Sequence, residues 1–450
     1  MSAPIRDDTE GVPMQQAGTD SRPSALEWVL AVFAVIIQLE GAFVSVPMML
    51  GGDSSALWGS VNPLNTAGIA VSIASIGIAC APRIRHMGHL ALQNVSSVLF
   101  MLMVAMSAIW SIHPDRTIRG ATGYVLTLLI AGYLSVRFAR DDRMKVLSWG
   151  FALSAISSLL FVAAFPQYGI MQESNLSGAW RGIFPHKNVL GPVMAVAVFT
   201  ELYILVSGNG RPRWRFALLG IFLGLVVLSQ SATAWAMSLL YLAGACLYLL
   251  WKRTRLAAVV AAINGVLLVL VLVLVLWSDP TSVLASIGKD VTLTGRTALW
   301  DLVISDVHQS PLLGWGYRAT WQVDAPITIL ANRLVFNWGV TSSHNGFLEI
   351  TLQLGLTGLG LLVAIIGVAL WRGYWCCRAG RLPLGWFSVI FFGGAILAAQ
   401  TIETLGRNQS IVWLVFNMLS FSCGLDLALH KQTRLANTAG PRIAPRWREG

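Results

Sequence analysis

Apolar runs of roughly 17–25 residues recur from about Trp28 to about Leu429, each long enough for a helix to cross a bilayer. Twelve can be counted, centred near Val35, Ile73, Val104, Thr127, Ile156, Val196, Leu223, Leu242, Leu268, Val363, Leu397 and Phe421. The seventh and eighth are the most closely spaced, with only Ser229-Gln230-Ser231-Ala232-Thr233 between them. One long polar segment, 278–344, interrupts the series between the ninth and tenth runs. The pattern therefore predicts an all-α polytopic membrane protein. Its parts are a disordered tail at 1–25, nine spans within 26–277, a large loop at 278–344, three spans within 345–430 and a basic tail at 431–450.

The loop carries Lys289, Arg296, Arg318, Arg333, His308 and His344, with Trp300, Trp315, Trp321 and Trp338. Connections this long are usually functional or disordered, and its tryptophans and apolar runs argue against disorder. Leu299, Val303 and Val307 recur at helical spacing with polar residues opposite, so 295–307 reads as a short helix lying on the membrane or against the bundle. Ser310-Pro311 breaks it and a Gly314-Trp315-Gly316 turn follows. A second short helix is predicted from about Asp324 to Val335. The tryptophans fit either sugar stacking or an interfacial aromatic belt.

Composition narrows the class. A length of 450 residues would allow two or three soluble domains, but 55% hydrophobic and 12% charged residues rule them out. The first 25 residues are polar and lack the apolar core of a cleavable signal peptide. Numbering the segments between spans alternately puts 22 of the 31 Lys and Arg on the odd side and nine on the other. That bias predicts both termini in the cytoplasm and the large loop outside. The net charge of +10 is thus mostly a topology signal. Its bases are spread over many short loops, which excludes a nucleic-acid face. Cys80, Cys246, Cys376, Cys377 and Cys423 all fall near the inner face, and no Cys/His spacing suggests a metal site. No phosphate-binding glycine loop or dinucleotide fingerprint is present, so no cofactor is expected. Glu40 and Glu201 read as isolated intramembrane acids.

The nine outward bases are Arg116, Arg119, Arg181, Lys187, Lys289, Arg296, Arg318, Arg333 and Arg407. They run against the charge bias, so each needs a reason. Alone, such a base is a headgroup contact or an ion pair, the reading taken for Arg116. Gathered round one cavity, arginines make an anion clamp. Two segments carry the most chemistry. Trp180 to Gly191 places Arg181, His186 and Lys187 at the mouth of the sixth span, either as an anion site on a helix N-terminus or as an interfacial anchor. Ser342 to Glu349 places His344 and Asn345 at the entry of the tenth span. His344 is there either a helix cap or a proton acceptor. Glu349, one turn deeper, requires a partner.

Three motifs in this order resemble those of the O-antigen ligase and O-antigen polymerase superfamily, nearest its exopolysaccharide-polymerase branch. They are Arg-Gly-x-Phe-x-His-Lys-Asn-x-x-Gly (Arg181 to Gly191), Gly-Arg-x-x-x-Trp (Gly295 to Trp300) and Ser-His-Asn-x-x-Leu (Ser343 to Leu348). The resemblance implies a GT-C-like glycosyltransferase at the outer face of a bacterial inner membrane, free of metal and nucleotide sugar. Its donor would be an oligosaccharide on undecaprenyl diphosphate, and its acceptor a glycan or lipid A–core. A chain-length regulator or export complex would be a further partner. The family's external histidine maps onto His344, and its diphosphate-binding arginines map onto Arg181 and Arg296. Position adds Arg318 and Lys187 as binders, with His186, Asn345 and Glu349 in support. Many ligases carry a Ser-Arg pair near the seventh span, where this chain reads Ser229-Gln230-Ser231. That departure counts against the ligase assignment, and the closeness of the segment Arg181 to Gly191 to the polymerase branch favours a polymerase. A protein-directed oligosaccharyltransferase is a further alternative within the superfamily. A lipid-linked oligosaccharide transporter is the alternative from another class, but the late, outward loop does not fit a six-plus-six carrier.

Overall fold

Membrane helices lack water as a partner, so their order is set by close packing and by internally satisfied polar groups. The computed structural model describes residues 22–39, 63–172, 176, 178–207, 212–265, 296–334 and 340–438. Its helices are α1 (Ala25–Ile37), α2 (Pro63–Cys80), α3 (Ile84–Gln93), α4 (Val95–Met106), α5 (Pro114–Arg137), α6 (Arg140–Ala164), α7 (Lys187–Ser207), α8 (Arg213–Leu228), α9 (Ala232–Arg253) and α10 (Arg255–Gly265). The described part of the loop holds α11 (Arg296–Gln309) and α12 (Pro326–Leu334), and after it come α13 (Gly346–Arg378), α14 (Leu382–Ala399) and α15 (Ile411–Thr438). The protein is an all-α, multi-pass membrane protein. Eight helical stretches among the described residues are long and apolar enough to cross a bilayer. Eleven of the twelve expected centres fall within helices. The ninth centre, Leu268, lies outside the described residues, as do Glu40, Lys289, Gly295, Trp338, Val335 and the side chain of Arg333.

The hub is α7, whose residues from Val189 to Leu205 are all buried. It packs against α6, α8, α9, α14 and α15. Polar groups within the hub are few, and Thr200 donates to Val196 O at 2.9 Å. Glu201 is not isolated, contrary to the sequence expectation. It is fully buried and pairs with Arg215 at 3.0 Å, with Ser148 also donating to it. Glu27 likewise receives Arg137 at 2.7 Å and Arg83 at 3.4 Å. Many of the odd-side bases are thus structural ties between helices.

The two loop helices form where periodicity places them. Leu299 and Val303 of α11 meet Ile327 and Ala331 of α12 in a small core seated on Leu348 and Leu352 of α13. The loop therefore docks against the bundle. Below that core α13 breaks at Gly355, where φ is 65° and ψ is −169°. The break strands backbone groups, and the segment 311–316 takes them up. Leu356 N–H donates to Pro311 O at 2.8 Å and Thr357 N–H to Leu312 O at 3.3 Å. In return Trp315 N–H donates to Leu352 O at 3.1 Å, and Gly316 N–H to Gln353 O at 2.9 Å. Such close approach needs glycine on both sides. A Cβ at Gly355 would lie 2.2 Å from the Leu312 carbonyl carbon, and one at Gly314 would lie 2.5 Å from that of Gln353.

Gly355→Ala should therefore lower the melting temperature in detergent. The backbone conformation alone costs about 1–3 kcal/mol for a residue with a Cβ, before the clash with Leu312. A melting temperature equal to that of the unaltered chain would show that the stitched break is not structurally required.

Candidate functional site

The motif segments meet at one end of the bundle, the end that carries the large loop. The turn before α7 is built on backbone bonds: Arg181 and Gly182 N–H both donate to Gly169 O, at 2.9 and 3.0 Å. Arg181 is 8% exposed and its Nε donates to Tyr168 O at 2.6 Å. His186 begins α7. Its carbonyl accepts from Val189 N–H at 2.9 Å, and its ring Nδ1 accepts from Asn188 N–H at 3.1 Å. Lys187 Nζ reaches Gln230 O at 3.4 Å, in the short α8–α9 turn, and Trp180 N–H reaches Leu228 O at 2.9 Å. Gln230 has a φ of 49°, which turns that carbonyl-bearing corner sharply.

A second wall comes from α11 and the chain after α14. Arg296 Nη1 donates to Thr401 O at 3.4 Å, and the Thr401 hydroxyl lies 2.6 Å from that of Thr233 at the start of α9. Burial holds the Arg296 pKa below its ordinary value. Trp300 Nε1 donates to Ser343 O at 3.0 Å, fixing the residue before His344.

His344 stands at a φ of 52°, in left-handed backbone uncommon for a residue with a side chain. It is not the cap of α13. That role belongs to Asn345, whose Oδ1 accepts from Phe347 and Leu348 N–H at 3.0 and 3.1 Å. The partner required for Glu349 is a set of three donors. Ser343 N–H reaches Oε2 at 2.8 Å, Trp321 Nε1 reaches Oε1 at 2.8 Å, and Gln353 Nε2 also donates.

Two electrostatic groups result. In the first, burial brings the His344 pKa down to about 4, helped by Arg296 and opposed by Glu403. Burial does the same for His186, down to about 4, helped by Lys187, His344 and Arg181. These couplings join Arg181, His186, Lys187, His344 and Arg296 into one positively charged neighbourhood with neutral imidazoles. Arg318 belongs to the second group. It has a φ of 62°, and its Nη1 pairs with Glu403 at 3.3 Å; Arg407 pairs with the same carboxylate at 3.2 Å. A cavity of about 10 Å³ lies among Tyr317, Arg318, Glu349, Gln353, Glu403 and Arg407. Sequence reasoning missed Glu403, Gln353, Gln230 and Thr401. The polar stretch from Gln400 to Ser410, between two apolar helices, was the available signal. No cluster of His, Cys, Asp and Glu suited to a metal occurs among the described residues.

Glu349→Gln should destabilise the chain although it preserves shape. The new amide would bring a donor into a site where three donors already converge. One buried donor left unpaired costs about 1–3 kcal/mol. Scanning calorimetry of the two proteins in the same detergent checks this; equal melting temperatures would mean that the carboxylate does not hold the turn.

Comparison with known proteins adds to this geometry. Residues 216–363 match the family model described as O-Antigen ligase. The chain is also 27% identical over 286 residues to the exopolysaccharide production protein ExoQ of Rhizobium meliloti (strain 1021). That match covers 60% of this chain and spans 63% of the length of the relative. The family match begins in α8 and ends in α13, so it takes in Arg296, Arg318 and His344; the resemblance in Arg181 to Gly191 lies before it. The order of the motifs, the family match and the relative together support the O-antigen ligase and polymerase family for this chain.

Proposed function

We propose that this protein is a membrane glycosyltransferase that polymerises glycan at the outer face of a bacterial inner membrane, with both termini in the cytoplasm. Its donor is an oligosaccharide on undecaprenyl diphosphate and its acceptor a sugar hydroxyl on a growing chain. The observation that carries this reading is that half-buried, neutral His344 lies beside Arg296, and beside a second neutral histidine, His186, that neighbours Arg181 and Lys187. The anionic leaving group lies against the cations, which stabilise the charge that develops on it. The acceptor oxygen attacks the anomeric carbon from the opposite side, inverting it. As that C–O bond forms, the bond to the diphosphate breaks and its electron pair leaves with undecaprenyl diphosphate. The hydroxyl proton passes to His344. Arg318 has its charge met by Glu403 and supports the loop rather than the leaving group. The name of the matched family favours a second reading, in which the finished glycan is transferred to lipid A–core. Transport fits less well, because the buried hub α7 is apolar around most of its circumference.

Purified protein given undecaprenyl-diphosphate oligosaccharide, with and without lipid A–core, separates these readings. A size ladder from donor alone, absent from His344→Ala, is the result expected of a polymerase. Product only with lipid A–core would establish the ligase. No product from folded protein in either case would overturn the enzymatic reading.

The pH profile gives an independent check. A base is lost as pH falls through its pKa, so kcat/KM should fall only near about 4, the value for His344 in the unliganded protein. A bound diphosphate offsets the surrounding cations and raises that pKa. The acid limb of kcat should therefore lie at higher pH than that of kcat/KM. Coincident limbs would argue against a diphosphate beside His344.

A further inference from the structure

His186 differs from His344 in what its ring is able to do. Its Nδ1 accepts a hydrogen bond from Asn188 N–H at 3.1 Å. An acceptor nitrogen carries no proton, so in the neutral ring the proton sits on Nε2. Protonating Nδ1 would set one N–H against another, which keeps the imidazole neutral for a reason separate from burial. The two ring nitrogens point apart, so with Nδ1 turned to the backbone of α7, Nε2 projects away from that helix. The ring is half-buried. The groups near enough to act on it are Lys187, Arg181 and the neutral His344, and the two cations are among those assigned above to the leaving group.

We infer that His186 is a fixed-tautomer hydrogen-bond donor, whose Nε2–H binds a phosphate oxygen of the lipid diphosphate while Nδ1 is held by Asn188. The inference rests on the donor proposed above and assigns to one motif residue a role distinct from that of the base. A ring locked in this way donates but does not accept, so it holds the leaving diphosphate without taking the acceptor proton. It adds a neutral, directional donor among the cations. It also divides labour between two neighbouring histidines: His344 is the proton acceptor, and His186 the neutral donor.

The two nitrogens can be tested separately, because asparagine places its amide near Nδ1 and glutamine places its own near Nε2. His186→Asn keeps an acceptor for Asn188 N–H but loses the distant donor. His186→Gln keeps a distant donor but loses the cap. Binding of undecaprenyl diphosphate to the full-length protein in nanodiscs, measured by thermophoresis alongside each melting temperature, reads out both roles. The expected result is that His186→Asn melts like the unaltered protein yet binds about tenfold or more weakly, as for a lost hydrogen bond to a charged group. His186→Gln should bind within a few-fold of the unaltered protein despite a lower melting temperature. Unchanged binding in His186→Asn, or equal weakening in both folded variants, would overturn the donor role and leave His186 a helix cap. Failure of the unaltered protein itself to bind undecaprenyl diphosphate would instead overturn the proposed donor.

Discussion

A carboxylate one turn inside a membrane helix is tolerable only if donors surround it, and that requirement at Glu349 organises the loop end of this protein. Its three donors come from different places: the backbone of Ser343, the indole of Trp321 in the loop, and the amide of Gln353 one turn below. Gln353 is itself committed on its other side, since its Oε1 accepts Arg318 N–H at 2.9 Å. The loop is therefore positioned by hydrogen bonds with direction, not by apolar contact alone. His344 follows Ser343 directly, so the orientation of its left-handed turn depends on the same carboxylate.

The break at Gly355 makes the dependence reciprocal. Non-helical backbone at membrane depth is tolerated where protein covers it, and the segment 311–316 provides that cover with four backbone bonds. The large loop thus completes the helix that carries Glu349, while Glu349 fixes the loop. Neither element has satisfied polar groups without the other. This explains why a segment that looks like an insertion is bound closely to the bundle.

Much of this was legible in the chain, though unevenly. Among the described residues, helix positions and both loop helices follow from run length and from the spacing of Leu299, Val303 and Val307, because those signals are local. The pairing of Glu201 was not legible as a contact, since Arg215 lies 14 residues away and on the next helix. Glu403 was less so, because Arg318 lies 85 residues away in sequence. The tryptophans offered sugar stacking or an aromatic belt, and the structure gives them another use. Trp300, Trp315 and Trp321 donate their indole N–H groups to Ser343 O, Asp306 O and Glu349. Composition cannot reveal such a use, because it depends on which acceptor folding brings within reach. Whether His344 or its neighbour caps α13 also needed geometry: the cap is Asn345, which releases the imidazole from that duty.

The bases expected on the outer side differ in the partners that hold them. Arg318 and Arg407 share the carboxylate of Glu403, so their charge is largely compensated inside the fold. Arg181, Lys187 and Arg296 donate to the backbone carbonyls of Tyr168, Gln230 and Thr401. Their charge still acts on the neighbouring rings: Arg181 and Lys187 on His186, and Arg296 on His344. A carbonyl orients a guanidinium or ammonium and so holds it in place. In the proposed function such ordering matters, since the cost of fixing the side chains is met before the ligand arrives. Charge running against the inside-positive bias thus marks both kinds of base. Glu403 ties Arg318 and Arg407 together, whereas Arg181, Lys187 and Arg296 are oriented in part by backbone carbonyls.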